Sequence, residues 1–154
     1  MVTIGTLNGG NITITTGPAT RAETRIWWSN NESNYTDYPF EGTIDNESLL
    51  EYDENGTFAT AYKIEIGNTV TVIYDYTFSW CSSITSIMLP NSVTSIGNGA
   101  FGNCTNLTDV TIPDSVTSIG EDALQGCTGL TSVTFEGKDK ATVKVMTNYP
   151  FGLD

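Results

Sequence analysis

The chain contains no histidine, and this absence limits the chemistry that it can perform. Histidine is the commonest general base, the usual activator of serine and cysteine nucleophiles, and a frequent metal ligand. Catalytic triads are therefore excluded. Carboxylate pairs remain at Asp45 with Glu47 and at Asp53 with Glu54, but these runs are rich in Asn and Gly, which is typical of solvated turns. We expect no catalytic residue and no enzymatic activity.

Basic residues and long apolar runs are also scarce. The 154 residues include 6 Lys and Arg against 18 Asp and Glu, which gives a formal net charge of -12. Such a surface repels phosphate backbones and anionic lipid head groups, so we expect no nucleic-acid partner. No stretch approaches the roughly 20 apolar residues that span a bilayer, and the opening residues show no export signal. We expect no direct membrane insertion.

Cysteine is limited to Cys81, Cys104 and Cys127, which are evenly spaced along the chain. Zinc sites need clustered Cys or His residues, so the spacing does not indicate a metal site. It predicts one inward column of buried free thiols, in which neighbours could approach disulfide distance. We expect no cofactor.

A calcium site is the one ionic hypothesis that the sequence offers. Asp45, Glu51, Asp53 and Asn55 supply hard oxygen atoms within one stretch, although the D-x-D-x-D-G loop pattern is not met. The alternative is a plain hairpin turn at Asn55 and Gly56.

The residues that are abundant, Thr, Ser, Asn, Gly, Ile and Val, indicate a mostly β structure, and they are arranged in a repeat. Residues 89–111 superimpose on residues 112–134 at an offset of 23, with identity at 14 of 23 positions. Residues 66–88 keep the same apolar skeleton. A single coil of this kind cannot bury its apolar face, so the repeat predicts stacked coils of a solenoid.

The repeat register predicts columns of core side chains, one residue from each coil. The columns are Cys81, Cys104 and Cys127; Ile84, Leu107 and Leu130; Ile87, Val110 and Val133; Leu89, Ile112 and Phe135; Val70, Val93 and Val116; Ile73, Ile96 and Ile119; and Phe78, Phe101 and Leu124. Alternating apolar positions at residues 84–89 and their equivalents predict short strands that form a parallel sheet and end before Pro90 and Pro113. Opposite the strands, the spacing of Gly, Ala, Phe and Cys predicts one short helical or 3₁₀ turn.

The pattern C-x-x-L-x-x-I-x-L-P-x-S-V-x-x-I-G-x-x-A-F-x-x-C resembles the BspA-like leucine-rich repeat over about residues 60 to 136. The resemblance implies a β-rich α/β fold, a right-handed leucine-rich-repeat solenoid. It also implies a surface protein of anaerobic oral or gut bacteria, or a related phage-borne protein, associated with adhesion rather than catalysis. The implied location is extracellular, at the cell surface, or in a virion. The first coil departs from the pattern, with Phe58 in the Cys column and Tyr74 to Tyr76 in place of Gly97 to Gly99.

The segments outside the repeat divide the chain into three predicted parts. Residues 1–57 form a β-rich N-terminal cap or docking unit, with strands around residues 3–4, 12–15 and 25–28 and a turn at Gly9 and Gly10. Residues 58–136 form the solenoid. Residues 137–154 form a closing segment in which residues 138–146 can form a short helix; this segment either is truncated or completes its last coil with a neighbouring chain.

Two sets of residues are candidates for binding. The first is an aromatic platform in the cap, consisting of Trp27, Trp28, Tyr35 and Tyr38, of which one of the two tryptophans should be buried if they lie on a strand. The second consists of two outward strand columns: Lys63, Ser86, Asp109 and Ser132, and beside it Glu65, Met88, Thr111 and Thr134. The solenoid face is mostly hydroxylated, so we expect modest affinity from one chain.

The sequence leaves two hypotheses for function. In the first, the chain is a binding or adhesion module that recognises a protein or glycan ligand through the solenoid face and the cap aromatics. In the second, it is a structural appendage component of the phage tail or head fibre type, which forms a homo-oligomer through the N-terminal region.

Overall fold

The computed structural model describes residues 2–8, 11–17, 21–52, 57–137 and 144–145, with side chains described for residues 21–49 and 58–137. The N-terminal part contains β1 (Val2–Asn8), β2 (Asn11–Gly17), β3 (Thr24–Trp27), β4 (Tyr35–Tyr38), β5 (Gly42–Ile44), α1 (Asn46–Tyr52) and a 3₁₀ turn (Thr57–Thr60). The repeats contain β6 (Lys63–Glu65), β7 (Val70–Ile73), β8 (Ser86–Met88), β9 (Ser95–Ile96), β10 (Asp109–Ile112), β11 (Ser118–Ile119) and β12 (Ser132–Phe135), followed by β13 (Lys144–Val145).

The strands form two main sheets. The front sheet has the order β12-β10-β8-β6-β3-β4, and the back sheet has the order β13-β11-β9-β7-β5. In the front sheet the repeat strands pair in parallel, and Lys63, Ser86, Asp109 and Ser132 occupy equivalent positions. The predicted solenoid, its parallel sheet and its register of 23 residues are confirmed.

The back sheet is a feature that the sequence pattern did not predict. Its strands β7, β9 and β11 also pair in parallel, with Val72 opposite Ser95 and Ile96 opposite Ile119. The turn side, defined as residues 74–80, 97–103 and 120–126, carries the chain from the back sheet to the next front strand. Of the predicted alternatives, a short helical or a 3₁₀ turn, no helix forms there; the segments are turns closed by hydrogen bonds between residues three apart, such as that from the N–H of Gly102 to the carbonyl of Gly99.

The predicted core columns are confirmed. Their members in the first two coils are buried, and the rings of Phe78 and Phe101 stack with centroids 5.7 Å apart and an interplanar angle of 1°. In the last coil Leu130, Val133 and Phe135 are only partly buried but still pack against this core. The core is therefore one continuous stack that is thinnest at the last coil.

Polar side chains also stack from coil to coil. The hydroxyl of Thr85 donates to the carbonyl oxygen of Tyr62 at 3.1 Å, and Thr131 donates in the same way to Thr108 at 2.9 Å. A second threonine ladder joins Thr117 to Thr94 at 3.2 Å. These bonds give each repeated Thr a partner 23 residues earlier, which explains why Thr recurs at a fixed position beside each strand.

On the turn side, Asp75, Asn98 and Glu121 form a third ladder. The backbone N–H of Asn98 donates to Asp75 Oδ1 at 2.8 Å, and Asn98 Nδ2 donates to Asp75 Oδ2 at 3.1 Å. One coil later, the N–H of Glu121 donates to Asn98 Oδ1 at 2.8 Å. Asn98 uses both the donor and the acceptor of its amide, so it links the coil before it to the coil after it.

The N-terminal part is β-rich, as predicted. Its strands β3, β4 and β5 continue the sheets of the solenoid, whereas β1 and β2 form a separate two-stranded sheet. Strand β3 pairs antiparallel with both β4 and β6, while β5 pairs parallel with β7 in the back sheet. Strands β1 and β2 pair antiparallel with Asn8 opposite Asn11, which is the pairing of the expected hairpin; Gly9 and Gly10 themselves lie outside the described residues.

Two local predictions are wrong. Asp45 and Glu47 do not lie in a solvated turn, because Asp45 precedes α1 and its Oδ1 accepts hydrogen bonds from the N–H of Ser48 at 2.8 Å and from its hydroxyl at 2.7 Å. These bonds cap the N-terminus of α1. The sequence pattern did not predict this helix because it contains no long apolar stripe. In addition, residues 144–145 are not helical but form β13, which pairs with β11.

Candidate functional site

The front sheet brings part of each predicted set of binding residues onto one face. Trp27 on β3 lies opposite Tyr35 on β4 and opposite Lys63 on β6. Because side chains alternate between the faces of a strand, Trp27 and Tyr35 point to the same side as the Lys63, Ser86, Asp109 and Ser132 column. We call this surface the front face.

At the cap end of the front face, cationic side chains cover the aromatic rings. The guanidinium carbon of Arg25 lies 3.5 Å from the centroid of the Tyr35 ring, and Lys63 Nζ lies 4.4 Å from that of Trp27. Trp27 is only 6% exposed, while Tyr35 keeps 42% of its surface in solvent. The rings are engaged in cation–π contacts within the chain, and Tyr35 alone of this pair presents a large free area to a ligand.

Carboxylates hold these cations in place. Arg25 donates two hydrogen bonds to the Asp37 carboxylate, at 2.6 and 2.7 Å. The hydrogen bond from Arg25 holds the pKa of Asp37 below its usual value, and the same contact raises the pKa of Arg25. A bidentate pair of this kind fixes the orientation of the guanidinium group above Tyr35.

Glu65 belongs to this cluster rather than to an exposed column. It is buried, and its Oε1 lies 3.2 Å from Nε of Arg21, which also approaches Asp37 at 3.7 Å. Glu65 thus lies at its predicted outward position, but its side chain is not accessible to a ligand. The side chain does occupy the predicted register position, opposite Met88, but Arg21 covers it.

The four predicted cap aromatics do not form one platform, because strand alternation separates them. Trp28 packs against Phe58 with ring centroids 5.9 Å apart, and its Nε1 donates to the Thr36 hydroxyl at 2.9 Å. Tyr38 is buried in the core, where it stacks on Phe40 at 5.6 Å. The expectation that one tryptophan of the pair is buried is confirmed by Trp27.

The solenoid end of the front face is polar and shallow. Ser86, Met88 and Thr111 are half-buried, whereas Asp109, Ser132 and Thr134 are exposed. Asp109 accepts a hydrogen bond from the Thr108 hydroxyl at 3.0 Å. This end offers hydroxyl groups and one carboxylate, which suit hydrogen bonding to a ligand more than apolar anchoring.

The residues described give no support for a metal site. No group of three or more His, Cys, Asp or Glu side chains that could hold an ion occurs in the described ranges. Of the residues in the calcium hypothesis, Asp53 and Asn55 lie outside those ranges, as does the Asn55 and Gly56 hairpin, and the side chain of Glu51 is not described. Asp45 instead caps α1, and this hydrogen bonding from Ser48 lowers the pKa of its carboxyl group.

The three cysteines are buried free thiols, as predicted. Cys104 Sγ lies 3.3 Å from the carbonyl oxygen of Phe78, and Cys127 Sγ lies 3.1 Å from that of Phe101. These two thiols therefore donate to the previous coil. The neighbouring Cys127 thiol, together with burial, raises the pKa of the Cys104 thiol, so this column is a structural feature rather than a nucleophile.

Sequence reasoning does not find the most exposed rings of the described chain. These are Tyr74, Tyr76 and Trp80, which lie on the turn side of the first coil. The sequence feature that could have pointed to these rings is the departure of Tyr74 to Tyr76 from the Gly97 to Gly99 pattern. That departure was interpreted only as a transition to the cap.

The architecture and the candidate face together define a leucine-rich-repeat solenoid, a class of scaffold that typically binds other macromolecules and is not typically enzymatic. The family model described as the BspA type leucine rich repeat region (6 copies) matches residues 54–151, and the chain belongs to this family. In the described residues, no helix has the length and apolar character needed to cross a membrane.

Comparison with solved structures finds further leucine-rich-repeat proteins. A leucine-rich repeat protein from Eubacterium ventriosum is 34% identical, with a TM-score of 0.46, over 55% of this chain and 20% of its own. The leucine-rich repeat protein of T. pallidum is 25% identical, with a TM-score of 0.44, over 55% of this chain and 51% of its own. The matches thus span about a fifth and about half of those two proteins. No curated protein matches the chain.

Proposed function

We propose that the chain is a non-enzymatic adhesion module of a bacterial surface or secreted protein, and that its front face contacts a protein or glycan ligand. The observation that carries the proposal is the continuity of this face across the cap and the solenoid, from Tyr35 to Thr134. Membership of a repeat family whose scaffolds serve in protein interaction supports it.

The composition of the front face sets the kind of binding that we expect. Ser132, Thr134 and Asp109 supply hydrogen-bonding groups, and Tyr35 supplies one exposed ring at the cap end. A face with few apolar anchors gives modest affinity for each copy, so adhesion would depend on many copies acting together.

The test is a binding screen with a matched pair of variants. Wild-type protein, displayed in many copies on beads, is applied to arrays of immobilised matrix proteins and glycans. The front-face variant Ser132→Arg/Thr134→Arg should lose the captured signal, whereas Asn91→Arg/Asn106→Arg, which adds the same charge at exposed positions outside the face, should retain it. Equal capture by both variants would refute the front face as the contact surface.

The alternative function, an assembly component, is favoured by one observation. Strand β4 forms the outer edge of the front sheet, and its residues 35–37 are exposed. Sheet edges can pair with another chain. Light scattering at several concentrations separates the two functions, since a concentration-independent dimer or trimer would support assembly and a stable monomer would support the adhesion module.

A further inference from the structure

The turn side of the first coil carries three large aromatic side chains that the fold does not bury. Tyr74 is 56% exposed, Tyr76 58% and Trp80 71%. Their backbones are nevertheless fixed, because the N–H of Tyr76 donates to the carbonyl of Asn98 at 2.8 Å and that of Trp80 donates to the carbonyl of Gly102 at 2.7 Å. We call these three residues the aromatic patch.

Two members of the aromatic patch occupy backbone conformations that aromatic residues rarely adopt. Tyr76 has a φ of 56° and Trp80 a φ of 65°, both in the left-handed region. The later coils place residues that adopt this region more readily at the same positions: Gly99 and Asp122 for Tyr76, and Asn103 and Gly126 for Trp80. Exposed rings gain little from burial, so folding does not account for aromatic residues here, and strained residues of this kind cluster at functional sites.

The next coil leaves room for the aromatic patch. A Cβ atom on Gly99 would lie 2.5 Å from Cε1 of Tyr76, which shows that the Tyr76 ring rests against the Gly99 backbone. One coil further along the same side, Glu121 is exposed and Asp122 is half-buried. The ring of Tyr76 therefore extends along the solenoid axis toward the coil that carries Glu121 and Asp122.

The charge of the chain indicates what could cover these rings. Arg21, Arg25 and Lys63, the basic residues whose side chains the structure describes, all belong to the charged cluster at the cap end of the front face. There, Arg25 and Lys63 lie over Tyr35 and Trp27 in cation–π contacts. No described cation lies over the aromatic patch, which has carboxylates beside it and belongs to a chain of net charge -12.

We propose that the aromatic patch binds a Lys- and Arg-rich segment of a partner protein. Basic side chains of the partner would lie over the faces of Tyr76 and Trp80, and neighbouring ones would pair with the carboxylates of Glu121 and Asp122. This surface lies on the turn side, and it is separate from the front face to which the adhesive function is assigned. The two proposals can therefore fail independently.

The test uses a fluorescently labelled octa-arginine peptide as the probe, with binding followed by anisotropy at low and at physiological salt. The variant Tyr76→Gly/Trp80→Asn places in the first coil the residues that the second coil carries at Gly99 and Asn103, and it leaves the net charge unchanged. We expect the peptide to bind about ten-fold more weakly, the size of effect expected when two exposed cation–π contacts are lost. The melting temperature of the variant should not fall, because the strained backbone is relieved.

A matched pair of charge variants tests the role of the carboxylates. Glu121→Gln/Asp122→Asn should weaken octa-arginine binding several-fold. Glu23→Gln/Glu136→Gln removes the same charge from exposed positions away from the aromatic patch and should leave binding within about two-fold of wild type, because distant surface charges are screened by salt.

Three outcomes would overturn the proposal. Unchanged octa-arginine binding by Tyr76→Gly/Trp80→Asn would mean that the peptide responds to net charge alone. Loss of binding to an uncharged oligosaccharide in that variant, with octa-arginine binding intact, would assign the aromatic patch to a glycan. A wild-type dimer that the same substitutions dissociate would assign it to a second copy of this chain.

Discussion

Substitution of Leu107 by Ala tests the stacked core most directly. Leu107 is fully buried in the middle coil, and its column places Ile84 on one side and Leu130 on the other. Deletion of a fully buried leucine side chain costs about 2 to 5 kcal/mol, which combines the lost transfer free energy with the cavity that remains. Backbone and side-chain hydrogen bonds join both neighbouring coils to the middle coil, so these coils cannot move freely to fill the cavity. We expect a loss in the upper half of this range.

The loss of stability should depend on the position of the substituted leucine along the solenoid, which allows a comparison within one column. Leu130 occupies the same column in the last coil but is only partly buried, so Leu130→Ala should cost about half as much as Leu107→Ala. Thr111→Ala, at a half-buried position of the front face, should leave the free energy of unfolding within about 0.5 kcal/mol of wild type.

Urea unfolding followed by circular dichroism would measure all three variants, with the midpoint and the slope fitted separately. A change in midpoint at constant slope reports stability, whereas a change in slope would mean that the coils no longer unfold together. If Leu107→Ala were as stable as Thr111→Ala, the assignment of Leu107 to a buried column would be refuted.

Three further substitutions or reactions test individual contacts. Thr85→Val removes the hydroxyl that donates to Tyr62 and should cost about 0.5 to 1.5 kcal/mol in urea unfolding, while a neutral result would mean that the threonine ladder does not stabilise the stack. Asp45→Ala removes the cap of α1 and should cost about 0.5 to 2 kcal/mol at neutral pH. Because folding lowers the pKa of Asp45, the carboxylate stabilises the folded state above the pKa that it has in the unfolded chain, and this stabilisation is lost as the pH falls through its pKa in the folded state. The stabilities of wild type and variant should therefore converge in acid. A constant difference down to low pH would contradict this role. The Cys104 thiol, whose pKa is raised, should react with iodoacetamide far more slowly in folded than in urea-unfolded protein, and equal rates measured by mass spectrometry would show that the column is open to solvent.

The part of the fold that could be predicted from sequence is the part in which apolar residues repeat. The columns through Leu107 and Phe101 follow from spacing alone, because a position that is apolar in every coil is expected to lie in the core between the stacked coils. The second sheet could not be found in this way. Strands β9 and β11 are two residues long, and the Val93 and Ile96 spacing suits one turn of helix as well as it suits the corner of a coil.

The candidate site was harder to predict because it depends on pairings between strands. Nothing in the local sequence indicates that Arg25 lies opposite Asp37, or that Lys63 approaches Trp27 from the neighbouring strand. These cross-strand contacts decide which aromatic rings remain available. The separation of Tyr38 from Tyr35 follows from strand alternation, but only once the boundaries of β4 are known.

The ladder through Asp75, Asn98 and Glu121 has a consequence for how such a solenoid can change length. Asn98 can stack on another Asn, because its amide accepts from the coil that follows and donates to the coil that precedes it. A copy of the coil at residues 89–111 inserted beside the original would therefore satisfy the same bonds. Duplication of the coil that carries Asp75 would instead place two carboxylates in contact. The middle of the chain can thus be extended by gene duplication, whereas the first coil is restricted to the end.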